Sequence, residues 1–369
     1  MTDRQQREVS TKEPVDYVLL ILVLLLAAFG LVILYSTSAY NGRVKFADPA
    51  YYFKKQFFAT SIGLMAMYLV SQADYRSWLR FAWAGYGLAL LLSTAVLFIG
   101  DEYNGSKRWL SLGPLSFQPS EYAKLAVVIL LASIVSRQAS RMKSWRYMFL
   151  VILLILPIVG LVGSNNLSTA IIILGIAVIL IFIANPQFLP FIWMGALGTG
   201  FIGIFLSVES YRLERLAIWR NPELYEKGYQ TMQGLYAIGS GGVFGVGLGG
   251  SMQKLGFVPE AQNDMIFSII CEELGLFGAF GVILLFALLI WRLMVIATHT
   301  KELSGALLAA GVMGHIMIQV VLNIAVVTNT IPNTGITLPF ISYGGTSVVF
   351  LLAEIGLILS VSRQVKKEH

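Results

Sequence analysis

The sequence predicts an all-α integral membrane protein of about ten transmembrane helices, with a long extracytoplasmic loop between helices 7 and 8. Three observations predict it. Hydrophobic residues make up 57% of the 369 and charged residues only 12%, whereas soluble domains keep about a quarter charged. Mean hydropathy is +0.74. Apolar runs of roughly 18 or more residues, the length that crosses a bilayer as helix, recur along the chain, and Val18 to Tyr35 is the clearest.

The spans read in order as 16–38, 56–72, 78–99, 119–136, 146–163, 167–185, 187–207, 265–292, 304–327 and 343–362. They form one polytopic domain over 1–369, with 208–264 as its long outer loop. The first run is too long for a signal-peptide core and no small-residue cleavage site follows it, so it reads as a retained span. The net charge of +6 follows a membrane pattern rather than a nucleic-acid one. With the N-terminus inside, inner segments hold Arg76, Arg80, Arg137, Arg141, Lys143, Arg146, Arg292 and Lys301 among others, and short outer loops hold Arg43, Lys45, Lys54, Lys55, Lys107 and Arg108. That bias places both termini in the cytoplasm. The single cysteine, Cys271, sits in an apolar run, which excludes an internal disulfide or a Cys-based metal site.

The long loop divides in two. In its first half Leu213, Leu216, Trp219 and Arg220 recur at helical spacing, as in a helix lying in the interface. Its second half is GSGGVFGVGLGG, from Gly239 to Gly250. Gly245, Gly247 and Gly250 fit the dinucleotide fingerprint G-x-G-x-x-G, but that motif means something only between a strand and a helix of a βαβ unit. The glycines read instead as a mobile backbone able to approach a ligand closely.

Ionisable residues inside spans point to function or to a buried partner. Glu121 and Lys124 stand three apart on one face of the fourth span, either as a self-neutralising pair or with Lys124 turned to an anion such as a lipid diphosphate. Asp264 closes the loop at the start of the eighth span, where the helix dipole alone would favour a carboxylate. Glu272 and Glu273 lie deeper, and at least one must face protein or water. His315, Gln319 and Asn323 form a polar stripe suited to bonding neighbouring helices, and Glu354 needs a buried partner. No G-x-S-x-G, H-E-x-x-H or P-loop pattern occurs.

Three stretches together carry a resemblance: KRWLSLGPLSFQPSEYAKLA at 107–126, AIGSGGVFGVGLGGSMQKLGFVPEAQNDMIFSIICEELG at 237–275 and IPNTGITLPFISYGGTS at 331–347. With ten spans and the loop after the seventh, the chain resembles the SEDS proteins (shape, elongation, division and sporulation), represented by RodA and FtsW. The resemblance implies a peptidoglycan glycosyltransferase that polymerises lipid II on the outer face of the bacterial cytoplasmic membrane, beside a class B penicillin-binding protein. It implies Asp264 as the catalytic residue, and Glu121, Lys124, Trp109, Gln118, Ser120, Gln233 and Glu260 as substrate-binding residues. Such chemistry needs a base for the acceptor hydroxyl and positive charge for the departing diphosphate. That charge would come from Lys124, loop arginines or a divalent cation, magnesium or manganese, for which Asp264 is a candidate ligand. A lipid II flippase and a non-catalytic scaffold for the transpeptidase are the alternatives. One departure is Asn166, where the family often carries aspartate. Small residues of the eighth and ninth spans, among them Gly278 and Ala310, suggest a groove for a partner's helix.

Overall fold

The computed structural model describes residues 15–103, 106–112, 115–185, 190–192, 195, 198, 200 and 216–364. Its helices are α1 (Tyr17–Phe46), α2 (Tyr51–Gln72), α3 (Tyr75–Arg80), α4 (Ala82–Ile99), α5 (Pro119–Arg137), α6 (Trp145–Asn165), α7 (Leu167–Ala184), α8 (Tyr229–Ser240), α9 (Ile266–His299), α10 (Leu303–Val327) and α11 (Gly345–Ser362). Among the described residues, eight are long and apolar enough to cross a membrane: α1, α4, α5, α6, α7, α9, α10 and α11. The expected seventh span, 187–207, and Leu213 fall outside the described residues apart from isolated positions. The 22-residue α2 runs parallel to α11, and glycines let the two axes approach: a β-carbon on Gly356 would lie 2.5 Å from the Met67 carbonyl oxygen.

One feature was not anticipated from the sequence. The connection between α4 and α5 forms a three-stranded antiparallel sheet, β1 (Asp101–Tyr103), β2 (Ser106–Leu112) and β3 (Leu115–Phe117), in that order.

α5, α10 and α11 form the buried centre. The small residues of α10 are used there. A β-carbon on Gly311 would meet Val128 and Leu180, and one on Gly314 would meet Ile179. Ala309 and Ala310 are buried. The expected partner groove is therefore not open on this helix, because its small face is already filled by α5 and α7. On α9, by contrast, Leu276, Phe277 and Phe280 face outward.

α9 is broken at Gly275, whose φ is +66°. A break within a span leaves backbone groups that must find partners inside the protein, and the glycine-rich segment supplies them. The N–H groups of Leu276 and Phe277 donate to the carbonyls of Gly242 and Val243 at 2.9 and 3.1 Å. In return, the N–H groups of Val246 and Gly247 donate to the carbonyls of Glu272 and Glu273 at 2.9 and 3.0 Å. A β-carbon on Gly245 would sit 2.2 Å from the Glu273 carbonyl oxygen. The expectation of a mobile glycine loop is thus corrected over part of its length: Gly241 and Gly245 permit contact with the backbone of α9, and the contact holds the segment there.

Candidate functional site

At the end of the bundle where α5, α7 and α9 begin, Asp264 is held just ahead of α9. Its side chain is 9% exposed. Gln230 of α8 donates to its Oδ1 at 3.4 Å, and Asn333 donates to the Gln230 oxygen at 3.4 Å. Its own backbone carbonyl accepts from Asn323 of α10 at 2.8 Å, and Asn323 also donates to the Ile336 carbonyl at 2.7 Å. Burial pushes the Asp264 carboxyl up to about 6, and the negative charge of Glu260 adds to the rise. A carboxylate near that value is still ionised at neutral pH and is well matched to taking up a proton.

Asp264 faces Arg108 across Gly335. A β-carbon on Gly335, were there one, would lie 3.9 Å from Arg108 Nη1 and 4.0 Å from Asp264 Oδ2. The φ of Gly335 is +70°, so glycine both adopts the turn and leaves the space between acid and base open. Arg108 is braced by a hydrogen bond from Nε to the Asn165 carbonyl at 3.0 Å. It borders a small cleft lined also by Ser120, Asn165 and Asn166. The register of β2 explains its reach: Asp101 pairs with Trp109 and Glu102 with Lys107, so Arg108 is the extra residue of a β-bulge, a device that interrupts the ladder and re-aims a side chain. Trp109 beside it is half-buried.

One helical turn from Asn323 along α10, Gln319 reaches the second cluster. Lys124 lies 3.0 Å from Glu121 Oε1 and donates to Gln319 Oε1 at 3.0 Å. Both charged residues are buried, and Glu121 Oε2 makes no hydrogen bond. The polar stripe therefore bonds neighbouring elements as its spacing suggests, and its partners are the two clusters of the site. Glu354 finds its expected partner in His315, at 2.7 Å.

The other expected positions scatter more widely. Gln118 is the N-cap residue of α5 and makes no side-chain capping bond. Gln233 is half-buried on α8. Glu260 is exposed, with a φ of +48°, and accepts from Asn263 at 2.9 Å. Asn166 caps α7, its side-chain oxygen accepting from the Thr169 N–H at 3.2 Å. An N-cap needs an acceptor and not a charge, so this role is open to asparagine and aspartate alike. Arg108, Gln230, Asn333 and Thr337 were not singled out from the sequence. Arg108 was legible only as one basic residue of an outer loop, since nothing local marks β2 as a strand.

The comparisons bear on the whole of this arrangement. The family model described as cell cycle protein, of FtsW, RodA and SpoVE, matches residues 16–367. The chain belongs to this family. Among FtsW/RodA/SpoVE relatives, it is 39% identical to stage V sporulation protein E of Bacillus subtilis, over 94% of this chain and 97% of that protein. It is 35% identical to the probable peptidoglycan glycosyltransferase FtsW of Coxiella burnetii, over 95% and 97%. Among solved structures it resembles rod shape determining protein RodA of Thermus thermophilus, with a TM-score of 0.71 and 30% identity over 96% and 98% of the two chains. It also matches a chain of the structure described as structural coordination of polymerization and crosslinking by a peptidoglycan synthase complex, with a TM-score of 0.80 and 30% identity over 96% and 99%. The FtsW/RodA/SpoVE fold is thus matched over nearly the full length described here, as an α-helical multi-pass membrane protein.

Proposed function

We propose that the chain is a peptidoglycan glycosyltransferase that polymerises lipid II, with Asp264 as general base. The observation that carries this reading is the pairing of Asp264 and Arg108 across the open space at Gly335. Asp264 takes the proton of the acceptor hydroxyl while its oxygen bonds to the anomeric carbon of the donor. The bond from that carbon to the diphosphate breaks, and polyprenyl diphosphate leaves. Arg108 and Lys124 offset the charge that develops on the leaving group.

Among the described residues no group of three or more His, Cys, Asp and Glu side chains converges to hold a metal ion. A divalent cation at Asp264 would take its other ligands from water and diphosphate oxygens, as magnesium commonly does. The complex named among the solved structures supports a transpeptidase partner of the class B penicillin-binding type. The bacterial relatives support the cytoplasmic membrane, and the distribution of basic residues supports both termini inside, an orientation in which Asp264 faces outward.

The test is polymerisation of lipid II by the purified protein and by Asp264→Asn. The amide is nearly isosteric and is no base at neutral pH. We expect strand synthesis to fall by about 10²–10⁴-fold, the usual contribution of a general base, with an unchanged unfolding temperature. Near-normal synthesis by the variant removes the assignment. No synthesis by the unaltered protein would favour a scaffold or a flippase.

A further inference from the structure

A buried chain of hydrogen bonds continues from Lys124 away from the reacting atoms. Gln319 Oε1 accepts from Lys124 Nζ at 3.0 Å and lies 2.9 Å from His315 Nε2. His315 Nδ1 lies 2.7 Å from Glu354 Oε2 on α11. Each of these residues is at most 1% exposed. The Gln319 amide has one workable orientation, because its Nε2 donates to the Thr337 carbonyl at 3.1 Å. The oxygen therefore faces both Lys124 and His315, and His315 must carry a proton on Nε2 to donate to it. One further proton then lies between Nδ1 and Glu354 Oε2. Wherever that proton rests, the His315–Glu354 pair has no net charge, and Lys124–Glu121 has none either.

Glu354 Oε1 is buried without a hydrogen bond. The hydrogen bonds run along one chain: Glu354 and His315 share a proton, and His315 donates to Gln319. Gln319 then offers Lys124 an oxygen held on its other side. The titratable groups facing His315 are Glu354 from α11 and, through Gln319, Lys124 and Glu121 from α5.

We infer that His315 and Glu354 are positioning residues for polymerisation, acting through Gln319 to fix the ammonium group of Lys124. The inference rests on the reading that Lys124 offsets charge on the departing diphosphate. A lysine ammonium is a point charge on a flexible four-carbon stem. Glu121 alone fixes it in one direction, and the Gln319 oxygen fixes a second. A fixed charge costs no reorganisation when the leaving group departs, so loss of the chain should appear in kcat and not in KM.

The experiment measures kcat, KM and the unfolding temperature of the purified protein with lipid II. Glu354→Gln keeps a hydrogen-bonding partner for His315 Nδ1, and we expect kcat within twofold of the unaltered protein. Glu354→Met removes that partner, and we expect at least a tenfold lower kcat with KM within twofold. If that variant does not fold, His315→Leu with Glu354→Met removes both members of the neutral pair, leaves nothing polar stranded and serves in its place. The inference is overturned if the folded Met variant or the double variant keeps kcat within twofold. It is also overturned if Glu354→Gln loses as much as Glu354→Met. Lys124→Met separates the two layers. Retained synthesis there defeats the role given to Lys124 itself, whereas an inactive Lys124→Met beside normal Glu354 variants defeats the positioning chain alone.

Discussion

Asp264 and the Glu272–Glu273 pair lie within ten residues of one another along the chain, and the structure treats them in opposite ways. Glu273 accepts from Lys254 at 2.6 Å and from Ser36 at 2.8 Å on both oxygens. Glu272 accepts from the Ser251 hydroxyl and from the N–H groups of Met252 and Gln253 at 2.9 and 3.4 Å. Among the described residues Asp264 has one long side-chain bond from Gln230, the lowering influence of its own and the Met265 backbone N–H groups, a space beside its second oxygen and a pKa that burial nevertheless raises. A saturated carboxylate is committed to holding the broken helix in place. A carboxylate whose burial outweighs its hydrogen bonds retains the capacity to accept a proton. Three carboxylates that look alike in sequence are told apart by what surrounds them.

The contrast yields graded tests. Asp264→Asn gives the largest effect on synthesis and should leave stability alone. Lys254→Met should do the reverse: it strands the fully buried Glu273, and breaking a buried pair typically costs about 3–5 kcal/mol. Thermal unfolding in detergent checks this. A Lys254→Met protein as stable as the unaltered one would erase the distinction. Gly245→Ala should also destabilise, since φ is +77° there, which alone costs roughly 1–3 kcal/mol of backbone strain, and the added β-carbon would press on the Glu273 carbonyl. It should speed hydrogen exchange at the N–H groups of Val246 and Gly247.

The smallest expected effect concerns pH. Synthesis needs ionised Asp264, so its rate should fall as pH drops through about 6. Glu260 contributes to that raised value through its charge. Glu260→Gln should therefore lower the Asp264 pKa and move the acid limb of the pH–rate profile to lower pH. An unmoved limb would mean that another group sets it.

The spans were legible because length and apolarity are properties of a segment alone. α5, α7, α10 and α11 begin and end close to where the apolar runs do. The glycine-rich segment was misread because its conformation depends on Gly275, which lies beyond the end of the loop and provides the other half of the contact. The stripe of His315, Gln319 and Asn323 was visible as a period of four. Its partners were not, since Lys124 is 195 residues from Gln319 and Glu354 is 39 from His315. Arg108 was hidden for a similar reason. Its aim depends on a bulge in β2, and the bulge exists only through pairing with β1.

That strand carries a consequence for how the connection between α4 and α5 can change in length. Asp101 pairs with Trp109 and Glu102 with Lys107, which leaves Arg108 as the extra residue of a bulge. Deleting Lys107 would close the ladder, set Arg108 opposite Glu102 and take away the aim that the bulge gives the guanidinium. The stretch from Ser106 to Trp109 is therefore fixed in length to the single residue.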